Sequence, residues 1–109
     1  MSELPKFLLI VTAEIDASVE ASWNKWYDEE HLPAALACPG VLRGFRYLSS
    51  SKASLTNDGV KSESSAKTYM EVYELNGPEA LEGEEFLAMR GCHQFANQID
   101  PRTQLFRGR

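Results

Sequence analysis

The segment KFLLIVTA, Lys6–Ala13, is apolar at both of its alternating positions. Strand side chains point to opposite faces in turn, so this run belongs in a sheet that is covered on both sides. Two further strands follow the same logic. In VLRGFRYLSS, Val41, Phe45 and Tyr47 share one face with Arg43, while Leu42, Arg46 and Leu48 share the other with Gly44. In KTYMEVYEL, Tyr69, Glu71, Tyr73 and Leu75 alternate with Thr68, Met70, Val72 and Glu74. RTQLFRG near the end reads as a short closing strand.

Two helical segments separate these strands. The first has Asp16 and Ser18 as candidate N-caps and runs to His31 or Leu32, because Pro33 disfavours helical geometry in the residue before it. Pro39-Gly40 then marks a turn. The second spans NGPEALEGEEFLAMRG, with Pro78 near its start and Gly91 as its stop. Gly83 costs roughly 1 kcal/mol against Ala inside a helix, so this one is expected to begin late or to kink. CHQFANQI is read as a further helical turn. Residues 50–66, rich in Ser around Asn57-Asp58-Gly59, read as a long hairpin loop, with extension of the flanking strands as the alternative.

The order β-α-β-β-α-β predicts an α+β, ferredoxin-like domain, an antiparallel sheet with helices on one face. A chain of 109 residues is long enough for one such domain and too short for two. Helices cover only one face, so the apolar groups on the other predict a homodimer packed sheet to sheet. A net charge of −5 without a Lys/Arg cluster argues against nucleic acid or an anionic membrane as partner. No segment reaches the roughly 20 apolar residues of a membrane span, and the N-terminus lacks the features of a signal peptide. With two cysteines, Cys38 and Cys92, and no zinc-spaced ligands, no metal is expected and the cytoplasm is the default location.

WNKWYDEEHLPAALACPG, from Trp23 to Gly40, carries the densest chemistry. At about 100° per residue, Trp23, Trp26, Tyr27 and Glu30 fall in one stripe, with Asp28 and Glu29 opposite and His31 at the stripe's edge. A carboxylate among aromatics must be hydrogen-bonded, paired or protonated. Glu30 is then either a structural lock on the helix or an acid/base group that orients His31. His31 is either a helix-end histidine favoured by the dipole or the wall of an aromatic-lined pocket.

These residues resemble a known family. WNKWYDEEHLPAALACPGVLRGFRY is similar to the segment W-x-x-W-Y-x-x-E-H-x-P…P-G-V…R-Y of the dimeric α+β barrel superfamily, particularly its EthD-like branch. YMEVYELNGPEAL and TQLFRG resemble that branch's third strand, second-helix start and final strand. The resemblance implies a ferredoxin-like protomer whose sheet pairs with its twin into a barrel, each protomer holding a cavity between sheet and helices. Activities of the superfamily include polyketide cyclisation, lactone isomerisation, cofactor-less monooxygenation, decarboxylation or dehydration of aromatic precursors, and haem degradation; many members have no known activity. By this resemblance Glu30 and His31 lie at the pocket, Trp23, Trp26 and Tyr27 line it, and Arg46 reaches it from the second strand.

Arg46 is read as an inward charge that pairs with Glu30 or holds an anionic substrate, or else as an edge residue in water. Tyr69 and Tyr73 pack in the core or dimer interface, with hydroxyls able to donate to a substrate oxygen. Cys92-His93 lacks a supporting third group for a catalytic dyad; His93 is kept as a second acid/base facing His31. The expectation is an enzyme without cofactor, acting by acid/base chemistry on a hydrophobic, oxygenated small molecule. His31, Glu30 and Arg46 are its catalytic candidates, and Trp23, Trp26, Tyr27, Tyr69, Tyr73 and His93 bind substrate. A non-catalytic dimeric ligand-binding or stress-associated protein is the alternative, and haem binding a third.

Overall fold

The computed structural model describes residues 4–64, 67–91 and 93–109, the side chains of Ser64 and His93 excepted. Strand β1 (Phe7–Ile15) leads through a 3-10 turn (Ala17–Val19) into helix α1 (Glu20–Trp26), a π turn (Tyr27–His31) and helix α2 (Leu32–Leu36). Strands β2 (Val41–Leu48), β3 (Ala53–Asn57), β4 (Val60–Ser64) and β5 (Thr68–Leu75) follow. A 3-10 segment (Pro78–Glu82), helix α3 (Glu84–Met89), a 3-10 turn (His93–Phe95) and strand β6 (Ile99–Arg107) complete the order. Four strands form one antiparallel sheet in the order β2-β5-β1-β6. This is the α+β, ferredoxin-like architecture expected from the element order. No helix among the described residues is long and apolar enough to cross a membrane.

Strand β5 shows the alternation cleanly. Tyr69, Glu71, Tyr73 and Leu75 are buried under the helices, while Thr68, Met70, Val72 and Glu74 are half-exposed on the other face. Its neighbours bring Leu9, Val11 and Ala13 of β1 opposite Tyr73, Glu71 and Tyr69. The core divides into two clusters on this face. One gathers Leu9, Tyr73 and Leu75 with Ala35 and Cys38; the other gathers Ala13, Trp23, Tyr27, Tyr69, Phe95 and Ile99. The opposite face is apolar and uncovered: Leu8, Ile10, Met70 and Val72 lie half-exposed, flanked by Phe45 (43% exposed), Tyr47 (52%) and Phe106 (43%).

Four local features depart from the sequence reading. First, the helix does not stop before Pro33. The Leu32 N–H bonds to the Tyr27 carbonyl, five residues back, and the widened turn accommodates Pro33 at the start of α2. Proline clashes with the carbonyl four residues before it in a regular helix, and the π turn relieves that conflict. Second, a register shift between Val41 and Arg43 puts a bulge at Leu42. Val41 therefore turns under the helices, away from the face shared by Phe45 and Tyr47, and Leu42 stands 55% exposed.

Third, residues 53–64 are not a loop. Strands β3 and β4 pair as a separate two-stranded sheet around Asp58-Gly59, both with positive φ (50° and 78°). Such dihedrals match the twist of a two-residue hairpin turn. Fourth, β6 is longer than the expected closing segment and includes Pro101, opposite Ala13. As an edge strand it tolerates a residue with no N–H to donate. The second helix does begin late, as Gly83 suggested: the backbone is extended there (φ −69°, ψ 152°), and α3 starts at the next residue.

Candidate functional site

The helix-facing side of the sheet, the π turn and α3 line a half-open cavity of about 480 Å³. That size falls within the range of small-molecule sites, roughly 300–1,000 Å³. Leu9, Val11, Leu81, Phe86 and Met89 give it an apolar lining. Its polar groups are few: His31, the tyrosines Tyr27 and Tyr73, Thr103, and Arg90.

The π turn determines which side chains reach the cavity. Each residue in the wider turn advances by less than the regular 100°, so residues after Tyr27 lag behind a regular wheel. His31 is carried back onto the aromatic stripe, where it stacks on Trp26 (centroids 4.6 Å, interplanar angle 23°) and meets Tyr27 edge-on (4.8 Å, 77°). Glu30 is carried off the stripe and is exposed. The expected burial of Glu30 among aromatics is thus corrected. Glu30 and His31 meet at an open depression with Trp26, Ala34, Met89 and Gln94; the larger cavity takes His31 without Glu30.

The buried acid is on the sheet. Glu71 is 0% exposed, directly opposite Arg46 on β2. The Arg46 Nε donates to Glu71 Oε2 at 3.2 Å, Nη1 to Asp28 at 2.6 Å and Nη2 to Asn24 at 2.9 Å. Its guanidinium also lies 4.2 Å from the Tyr27 ring centre, 4.9 Å from that of Trp23 and 5.6 Å from that of Tyr69. Asn24 donates onward to the Tyr69 hydroxyl (2.9 Å), which donates to Glu20 (2.5 Å). Arg46 is therefore neither Glu30's partner nor a side chain lining the cavity. Its nitrogens bond to protein, and aromatic rings cage its charge.

Glu71 remains incompletely compensated. Among the described residues, Oε1 has no hydrogen-bond partner. Burial outweighs the opposing pull of Arg46 and pushes its carboxyl up to about 7. Tyr27 and Tyr73 share a short hydrogen bond between their hydroxyls. Burial raises both phenols, Tyr73 to about 12, and the negative charge of Glu71 raises both further. Tyr73 stands where it does because Gly44 lies opposite it on β2: a Cβ there would sit 3.0 Å from the tyrosine ring.

Of the residues singled out from sequence, His31, Tyr27 and Tyr73 come together at the cavity. Trp23 (2% exposed) and Tyr69 (7%) are core residues behind it, and Trp26 borders the outer depression. Cys92 and the side chain of His93 lie outside the described residues. Sequence reasoning overlooked Glu71, Arg90, Phe86 and Met89. A signal for Glu71 was present, since it is the lone acid in the alternation Tyr69, Glu71, Tyr73, Leu75. Arg90, at the end of an amphipathic helix, has no distinguishing sequence context.

The four-stranded antiparallel sheet with helices on one face defines a ferredoxin-like α+β protein, and solved structures share that fold. HapK from Hahella chejuensis superposes with a TM-score of 0.62 at 15% identity, over 94% of this chain and 91% of that one. An ethyl tert-butyl ether d (ethd) family protein from Bacillus halodurans gives 0.59 at 13%, over 94% and 99%. A monooxygenase from the gene ActVA-Orf6 of Streptomyces coelicolor, in complex with nanaomycin D, gives 0.50 at 11%, over 96% and 88%. At these identities the likeness is one of fold, the α+β, ferredoxin-like one. The chain itself belongs to the family described as a domain of unknown function (DUF4286), whose model matches residues 6–104. No curated protein matches it.

The raised Glu71 carboxyl makes stability depend on pH. A folded value near 7 against an ordinary 4.5 means that the native state holds the proton more tightly. Its contribution is full below about pH 4.5 and is lost as pH rises through about 7, a change of roughly 3 kcal/mol. Urea unfolding of the wild type and Glu71→Gln at pH 4.5 and pH 8 reads this directly. The wild type should lose stability relative to the variant between the two; a constant difference would contradict the assignment.

Proposed function

We propose that this protein is an acid/base enzyme acting on a hydrophobic, oxygenated ring compound bound in the cavity. The observation carrying the reading is that His31 and the Tyr27–Tyr73 hydroxyl pair border one apolar cavity. In this reading His31 removes a proton from a carbon beside a carbonyl, or from a phenol. A tyrosine hydroxyl donates to the oxygen that gains charge, the task of an oxyanion-stabilising donor. Arg90 sits among the lining residues as a cation suited to a phenolate or carboxylate on the ligand. Arg46, considered from sequence for the oxygen-binding role, instead supports Tyr27 from behind. Glu30 has no part in the proton transfer.

Cyclisation, dehydration, isomerisation and oxidation can all begin with such a proton transfer, and the fold hosts more than one chemistry. That the monooxygenase neighbour was solved in complex with the ligand nanaomycin D supports a bound small molecule. A thermal-shift panel of hydroxylated aromatics and polyketones tests the binding, since a ligand specific for the folded state raises its melting temperature. For any stabilising compound that is turned over, His31→Ala should cut the rate by roughly 10²–10⁴-fold while leaving the thermal shift in place. Equal turnover in both proteins would remove His31 from the chemistry. Stabilisation without turnover would favour the non-catalytic ligand-binding reading.

The same proposal includes a homodimer. The face of the sheet away from the helices carries Leu8, Ile10, Met70 and Val72, and contiguous apolar surface on this scale marks an association site. Resemblance to barrels made by sheet-to-sheet pairing supports a second copy as its cover. Light scattering should give twice the 12.2 kDa of one chain, and Val72→Arg should return it to monomer. A monomeric wild type at tens of micromolar would contradict the dimer.

A further inference from the structure

Glu71 is the fully buried carboxylate of the described residues, and the chemistry proposed above makes no use of it. Three observations connect it to the cavity it does not line. It shares a face of β5 with Tyr73, two residues along. Its only bonded oxygen is held by Arg46, whose charge is divided with Asp28, and its other oxygen has no partner among the described residues. Arg46, which it holds, lies 4.2 Å from the Tyr27 ring centre, and the negative charge of Glu71 pushes both phenols of the Tyr27–Tyr73 pair up.

Two hydroxyls that share one hydrogen bond hold two protons between them. One lies in the shared bond, and the other is free to point at a third acceptor. On the cavity side that acceptor is a bound oxygen; on the protein side Glu71 hydrogen-bonds to neither hydroxyl, and its charge acts on the proton through its field along one face of β5. We propose that Glu71 is a positioning residue that selects between these directions: as a carboxylate it draws the unshared hydroxyl proton toward itself, and as a neutral acid it releases that proton to the cavity. The cavity then offers a hydrogen-bond donor to a neutral carbonyl oxygen when Glu71 is protonated and withdraws it when Glu71 is ionised.

The groups facing Glu71 are Arg46 from β2, Asp28 and Tyr27 from the π turn, and Tyr69 and Tyr73 from its own strand. Val11 of β1, directly opposite, brings no charge. Histidine is the side chain that ordinarily changes charge between pH 5 and 8, so a test must separate His31 from Glu71. The inference rests on the proposed reading of the cavity only for the oxygen that the proton would meet.

The experiment needs no ligand. The full chain, labelled with 13C at the tyrosine ζ and glutamate δ carbons, is titrated from pH 5 to pH 9 by NMR, with signals assigned by Tyr27→Phe, Tyr73→Phe and Glu71→Gln. The Tyr27 and Tyr73 signals should shift with the same midpoint as the Glu71 carboxyl, near 7, and the shift should persist in His31→Asn. Tyrosine signals that stay flat, or that follow the His31 imidazole and stop titrating in His31→Asn, would overturn the proposal. The common midpoint is read in the wild type, so the decision does not depend on Glu71→Gln folding. Tyrosines that follow Glu71 in a protein that binds no oxygenated compound would keep this coupling while removing the proposed function.

Discussion

The ion pair between Arg46 and Glu71 organises the half of the molecule that carries the site. A buried carboxylate costs several kcal/mol unless it is compensated, and β2 supplies that compensation by placing Arg46 directly across from it. Once Arg46 is held there, its remaining nitrogens tie the sheet to α1 and the π turn through Asn24 and Asp28. Its face lies over Trp23 and Tyr27, contacts worth roughly 0.5–2 kcal/mol each when desolvated. The two tyrosine hydroxyls at the cavity wall are thus held from behind by a charged network that reaches the surface at Lys67 and Glu20.

The same network accounts for the division of labour at the site. The apolar lining faces the cavity, and the Arg46–Glu71 pair stays on the far side of Tyr27 and Tyr73. A tyrosine wall between them keeps the Glu71 carboxylate off the cavity surface. Arg90 and His31 are the groups able to carry charge on the cavity side, and both sit beside helical turns rather than on the sheet.

The topology was legible because it depends on periodicity that neighbouring residues reinforce. The alternation along β5, from Tyr69 to Leu75, survives intact in the structure. The helix wheel was less reliable, because it assumes one constant angle per residue. A single π turn at Tyr27–His31 exchanged the positions of Glu30 and His31 relative to the aromatic stripe, and the sequence sign of that turn, Pro33, also reads as a helix stop. The bulge at Leu42 misled the reading of β2 in the same way, since one extra residue reverses a strand's faces. Glu71 was legible in principle: an acid inside a Tyr-rich alternation carries the same anomaly that drew attention to Glu30 in the helix. Its partner was not legible, because Arg46 and Glu71 lie on different strands and only the register brings them together.

A double-mutant cycle on that pair tests the account most directly. Stability in urea at pH 8 would be measured for the wild type, Arg46→Met, Glu71→Leu and the double variant. Removing Arg46 alone leaves a buried carboxylate uncompensated and should cost roughly 3–5 kcal/mol. The double variant should be more stable than Arg46→Met, with a coupling of roughly 2–3 kcal/mol. Effects that add within about 0.5 kcal/mol, as expected for independent sites, would contradict the claim that this pair holds the site together.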